Sequence, residues 1–122
     1  MEKLTAQEED VMLIVWQRNG GCIKDFLDYM PAPQPPYTTV ASIVKNLERK
    51  GYVVAKRYGN TYFYTPAIDK TDYKRSFLSG VVRNYFANSY RDMVAFFVNE
   101  KHLTEEELSE IIQIIEKGKP SK

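Results

Sequence analysis

The sequence predicts a mainly α chain with one β-hairpin wing: three helices, the hairpin, then further helices. Three observations carry this. Apolar residues recur at helical spacing in successive segments, two Thr-x-x-Glu boxes (Thr5 to Glu8 and Thr104 to Glu107) mark helix starts, and β-branched and aromatic residues flank Gly59-Asn60. At 122 residues the chain has the size of one domain with an appended element.

The first helix is expected from about Thr5 to Arg18, with Val11, Ile14 and Val15 as its buried stripe and Trp16 beside it. Asn19-Gly20-Gly21 should stop it, because glycine tolerates the left-handed cap conformation. Ile23, Phe26, Leu27 and Met30 fall at i, i+3, i+4 and i+7, which gives a short second helix ending at Pro31. Prolines 31, 33, 35 and 36 then fix φ and remove amide donors, so this run is a stiff connector rather than helix or central strand. A ligand for proline-binding modules is the lesser reading of it.

Tyr37 to Arg49 should be the third helix, stopped at Gly51. Tyr52 to Tyr58 and Thr61 to Thr65 are expected to pair around Gly59-Asn60, with Tyr58 opposite Thr61. That register places Val53, Ala55, Tyr62 and Tyr64 on one face and Lys56 on the other, with Arg57 on the first face near the tip. Beyond Asp69 the pattern is helical only. Tyr73, Phe77, Val81 and Tyr85 recur every four residues, Tyr90 to Val98 forms a shorter apolar helix, and Leu108, Ile111, Ile112 and Ile115 follow the second capping box before Gly118 and Pro120. The expected division is residues 1–68, a winged-helix unit, and residues 69–122, a helical region with a frayed end from Lys117.

The third helix is the informative one. At 100° per residue, Val40, Ile43, Val44 and Leu47 cluster on one side, while Thr38, Ser42, Lys45 and Arg49 fall within roughly 60° on the other. In a lone helix such a stripe is most often just a solvated face. Here two short helices precede it and a hairpin carrying Lys56 and Arg57 follows, the order of a winged helix-turn-helix. Short hydroxyls let a helix backbone approach base edges, and long cations reach bases or phosphates. From Thr38 to Arg57, five cations face one acid, Glu48, for a local charge of +4 in a chain whose total is +1. Near-neutrality is therefore an average over unlike segments, and binding to DNA should depend strongly on salt.

Leu4-Thr5, Glu8, Val11-Met12, Trp16, Tyr37-Thr38-Thr39-Val40, Leu47, Lys50-Gly51-Tyr52 and Tyr62 to Pro66 together resemble the penicillinase repressor family, also called BlaI/MecI/CopY. The resemblance implies a winged-helix repressor that dimerises through its C-terminal helices on a palindromic operator in double-stranded DNA. By position it implies that Thr38, Thr39, Ser42, Lys45 and Asn46 present the third helix to DNA, although Thr39 and Asn46 project about 90° from the face centre. With Arg49, Lys56 and Arg57 these make the candidate DNA-binding set. Copper-responsive members carry paired C-terminal cysteines, whereas this chain has only Cys22. β-Lactam-responsive members are cut by a membrane sensor metalloprotease at an Asn-Phe bond, and Phe96-Phe97 occupies the matching place, keeping the second aromatic residue and replacing the asparagine. Phe96-Phe97 is the candidate cleavage site.

The C-terminal helices have broad apolar faces but are too few to enclose a core, so a second copy should cover them. Tyr73, Phe77, Val81, Tyr85, Met93, Phe97, Leu108 and Ile112 are the expected core or interface residues. No metal, cofactor or catalytic set is expected. His102 adjoins Lys101 in a polar turn, Glu8-Glu9-Asp10 suits a helix dipole, and no phosphate-binding glycine loop occurs. Neither a leader nor a membrane insertion is expected, and a lone cysteine suits a cytoplasmic location. The rival reading is a winged helix that docks to protein; such a helix should expose aromatic anchors on the outer face of the third helix, and none stands there.

Overall fold

The computed structural model describes residues 1–118. In chain order it contains α1 (Ala6–Arg18), α2 (Ile23–Asp28), α3 (Tyr37–Arg49), β1 (Val53–Tyr58), β2 (Thr61–Pro66), α4 (Lys70–Tyr85), α5 (Tyr90–Asn99) and α6 (Glu105–Lys117). Pro120 and the expected frayed end beyond Gly118 lie outside the described residues. The chain divides into two compact units after Ser76, inside α4.

The division falls there because the start of α4 belongs to the first core. Tyr73 stacks obliquely on Trp16 at 5.3 Å and edge-on to Tyr52 at 5.9 Å. Its hydroxyl donates to Glu9 Oε2 at 2.5 Å, while Trp16 Nε1 donates to the Ile68 carbonyl at 2.8 Å. Burial and the Glu9 bond both push the Tyr73 phenol well above its ordinary range. Tyr73 is thus a core residue of the first unit.

Within that unit, Val11, Met12 and Val15 of α1, Phe26 of α2, Val40, Val44 and Leu47 of α3, and Tyr52 are fully buried around one core. The hairpin closes it. Its register pairs Tyr58 with Thr61, Arg57 with Tyr62, Ala55 with Tyr64 and Val53 with Pro66, so Val53 and Tyr64 reach the core while Val54 and Lys56 face out. Tyr62, expected among the core-facing residues, lies too near the tip to be covered and is half exposed.

The sequence reading missed the residue that ends α1 and the cap that starts α2. Thr5 and Glu8 form the expected box, but the left-handed residue ending α1 is Asn19, at φ 58°, not a glycine. Gly20 and Gly21 serve another purpose. Gly21 exchanges both backbone hydrogen bonds with Tyr64, at 2.9 and 2.8 Å, adding a one-residue bridge to the hairpin. A Cβ on Gly20, at φ 105°, would lie 2.7 Å from the Tyr64 carbonyl, so only glycine fits this crossing. Asp25 caps α2 by accepting from the Cys22 backbone N–H at 3.0 Å, and that bond, with a second from the thiol, holds its carboxyl below the usual range. α2 stops at Asp28, before Met30, where the Gln34 amide donates to the carbonyls of Leu27 at 3.0 Å and Met30 at 3.3 Å.

In the second unit, α5 starts at the Ser89 cap and α6 at the expected Thr104 and Glu107 box. Phe96 makes edge contacts with Phe86 and Phe97, and His102 lies against the Phe97 ring at 6.3 Å, where the sequence had offered it no partner. Val82 of α4 is fully buried, whereas neither α5 nor α6 buries a residue. None of the described helices is long and apolar enough to cross a membrane.

Candidate nucleic-acid interface

α3 is held by one face and by its C-terminal end, which leaves the opposite face open. Val40, Ile43, Val44 and Leu47 are buried, and Thr38, Ser42, Lys45 and Arg49 are all exposed, as the helical projection requires. Thr39 and Asn46 are partly buried at the flank of this face. Asn46 Oδ1 accepts from Arg49 Nη2 at 3.2 Å, which steadies the guanidinium along the helix. Pro36, the N-cap residue, has no side-chain acceptor, so the first turn of α3 keeps its positive end uncapped, a favourable setting for a phosphate.

The C-terminal end of α3 is fixed by charge. Lys50 Nζ lies 2.6 Å from Glu8 Oε1, with the two side chains only 12% and 6% exposed. The same ammonium donates to the Lys3 carbonyl at 3.0 Å, and Glu8 also accepts from the Thr5 backbone N–H at 2.9 Å. Next to them the buried Tyr52 hydroxyl donates to the Glu2 carbonyl. Burial alone would push the Glu8 carboxyl up, but the hydrogen bonds from Lys50 and Thr5, with the Lys50 charge, hold it below the usual 4.5. Lys50 is therefore removed from the basic window counted in the sequence. It pins the helix and does not face a ligand.

Lys56 and Arg57 are exposed on the hairpin beside α3. Arg57 Nε donates to the Gly59 carbonyl at 2.8 Å, and Lys56 Nζ lies 5.6 Å from the centre of the Tyr58 ring. Two tyrosines that sequence reasoning left out also belong here. Tyr37, the first residue of α3, and Tyr62, paired with Arg57, are each about half exposed, and both phenols, after burial and Glu48, help raise the pKa of Tyr64 between them. The signal for Tyr62 was its register with Arg57; Tyr37 was signalled only as the residue opening the helix and as one of those carrying the family resemblance.

The remaining predicted residues lie in the second unit, Tyr73 excepted. Phe77, Tyr85, Phe97 and Ile112 are exposed, while Val81, Met93 and Leu108 are partly covered. Among the described residues no group of His, Cys, Asp or Glu side chains is placed to hold a metal ion.

A helix with an exposed hydroxyl-and-cation face, braced on two others and flanked by a basic hairpin, defines a winged-helix transcription regulator. The chain belongs to the penicillinase repressor family, whose model matches residues 4–117. This is a family of DNA-binding transcriptional repressors, regulators rather than enzymes. The chain is 23% identical to the penicillinase repressor of Bacillus licheniformis over 121 residues, covering 98% of this chain and 94% of that protein. It is 20% identical to the methicillin resistance regulatory protein MecI of Staphylococcus epidermidis over 117 residues, covering 94% of each. Among solved structures, BpsR of Bordetella bronchiseptica, whose DNA binding is regulated by 6-hydroxynicotinic acid, matches with a TM-score of 0.48 and 16% identity, over 95% of this chain and 75% of that one.

The Glu8 and Lys50 pair makes a direct prediction. Lys50→Met strands a buried carboxylate and should cost about 3 kcal/mol of unfolding free energy in urea, whereas Glu8→Leu combined with Lys50→Met should recover most of it. Because Glu8 titrates lower in the folded chain, its stabilisation is full above pH 4.5 and lost as pH falls through the lower folded value. Glu8→Gln should flatten that acid loss.

Proposed function

We propose that this repressor acts as a homodimer on a palindromic operator, each copy laying α3 in a major groove with its wing against the duplex. The observation that carries the reading is the α3 face: Thr38, Ser42, Lys45 and Arg49 stand exposed opposite fully buried Val40, Val44 and Leu47. Hydroxyls near the start of the helix allow close approach, and Lys45, Arg49, Lys56 and Arg57 supply the charge. Thr39 and Asn46 reach the same groove from the flank. The outer stripe of α3 itself is polar and carries no aromatic residue, the exposed Tyr37 and Tyr62 standing beside it, and this favours nucleic acid over a protein partner.

Dimerisation draws support from the second unit. Much of its apolar surface stands open: Tyr85 is 79% exposed, Ile114 68% and Ile112 55%. Covering each by a second copy is worth about 1.5 to 3 kcal/mol, and a twofold pair matches two operator half-sites. Such a repressor works in the cytoplasm. Release by a membrane sensor metalloprotease at Phe96-Phe97 belongs to the same proposal. The bond lies inside α5, which must unwind to be cut, and a helix that buries no residue opens at low cost.

Lys45→Ala and Arg57→Ala should each weaken binding to duplexes selected by the protein, and each should lower the slope of log affinity against log salt by about one phosphate's worth, with the thermal midpoint unchanged. Binding and slopes equal to wild type would remove α3 and the wing from the interface. Sedimentation at tens of micromolar should show a dimer, and a monomer there contradicts the proposed pairing.

A further inference from the structure

We propose that Arg57 is a specificity residue of the wing: its guanidinium enters the minor groove next to the α3 contact and selects narrow, A·T-rich sequence there, while Lys56 holds the phosphates of a groove wall. This deepens the reading of α3 as the DNA-contacting helix and rests on it.

The hairpin register places the two adjacent cations on opposite faces. Lys56 pairs with Phe63 and Arg57 with Tyr62. The Arg57 face continues through Ala55 and Tyr64 into the core shared with α3, so Arg57 and Tyr62 form the outermost pair on the side of the reading helix. The Lys56 face is the outer one, with Val54, Tyr58 and Phe63 exposed along it. A wing lying flat on one phosphate backbone would use a single face. Cations on both faces instead suit a wing standing between the two walls of a groove.

The local geometry gives the cations different tasks. Tyr58 and Phe63 meet edge to face at 6.2 Å, and the Lys56 ammonium rests 5.6 Å over the Tyr58 ring, which holds it along the outer face. Arg57 turns the other way. Its Nε donates to the Gly59 carbonyl at 2.8 Å, drawing the side chain toward the turn, and among the described residues no hydrogen bond occupies its terminal nitrogens. The turn itself is slim, since nothing lies within 4 Å of where a Gly59 side chain would begin. Paired strands stand about 4.8 Å apart, and the minor groove is about 6 Å wide, so only the tip and a planar side chain ahead of it can enter. A guanidinium is flat and weakly hydrated and favours the negative potential of narrow A·T minor grooves, whereas an ammonium is a hydrated point charge suited to phosphates.

Selection from a randomised duplex library by the full chain tests this, using wild type, Arg57→Lys and Lys56→Ala. All three should enrich one shared core. Wild type and Lys56→Ala should also enrich A·T pairs at a flank of that core, and Arg57→Lys, which keeps the charge, should not. On a selected duplex, changing the flank from A·T to G·C should weaken wild type about tenfold, while I·C, which lacks the minor-groove amino group of G·C, should bind like A·T. Arg57→Lys should not distinguish the three. Equal flank preference in wild type and Arg57→Lys, or none in wild type, overturns the role of Arg57 and leaves the α3 reading standing. Enrichment of no sequence at all by wild type defeats both.

Discussion

The orientation of α3 depends on a buried ion pair. Glu8 sits in the first turn of α1 and Lys50 caps the end of α3, and their 2.6 Å contact ties the start of one helix to the finish of the other. Each partner is also hydrogen-bonded to backbone, Lys50 to Lys3 and Glu8 to Thr5, so neither charge is buried without full compensation. Hydrophobic packing alone tolerates small sliding of a helix on its core; a charge pair with these further bonds does not. This fixes the rotation of α3 about its axis, and with it which residues face out.

From that constraint the division of labour among the cations follows. Lys50 is occupied by the fold, Lys45 and Arg49 lie on the open face of α3, and Lys56 and Arg57 are split between the two sides of the wing. The positive field is thus spread over a helix and a hairpin within one unit and not gathered in a single patch. On the proposed reading such a surface would attract any duplex moderately and leave discrimination to hydroxyls, the planar guanidinium and the shape of the grooves.

Much of this was legible in the sequence, for physical reasons that differ by element. Helices α1 and α6 announce themselves through capping boxes, and the hairpin register follows from a two-residue turn, so these emerged at nearly their full extent. The exposed stripe of α3 followed from periodicity alone. What stayed hidden was long-range. No local pattern shows that Lys50 meets Glu8, that Tyr73 reaches back to Glu9, or that Gly21 pairs with Tyr64, because each joins residues far apart in the chain. The same blindness left Tyr73 undecided between core and interface and counted Lys50 in the basic window. The short reach of α2 was also missed, since a glutamine set among the prolines supplies its cap.

The central claim, that α3 and the wing tip form the DNA-contacting surface, is tested most directly by amide hydrogen exchange of the full chain with and without a duplex that the protein itself selects. The account predicts added protection in Tyr37–Arg49 and in the turn from Arg57 to Tyr62, with α2 little changed. Protection centred on α2 or on the outer face of α1, with α3 unaffected, would contradict it.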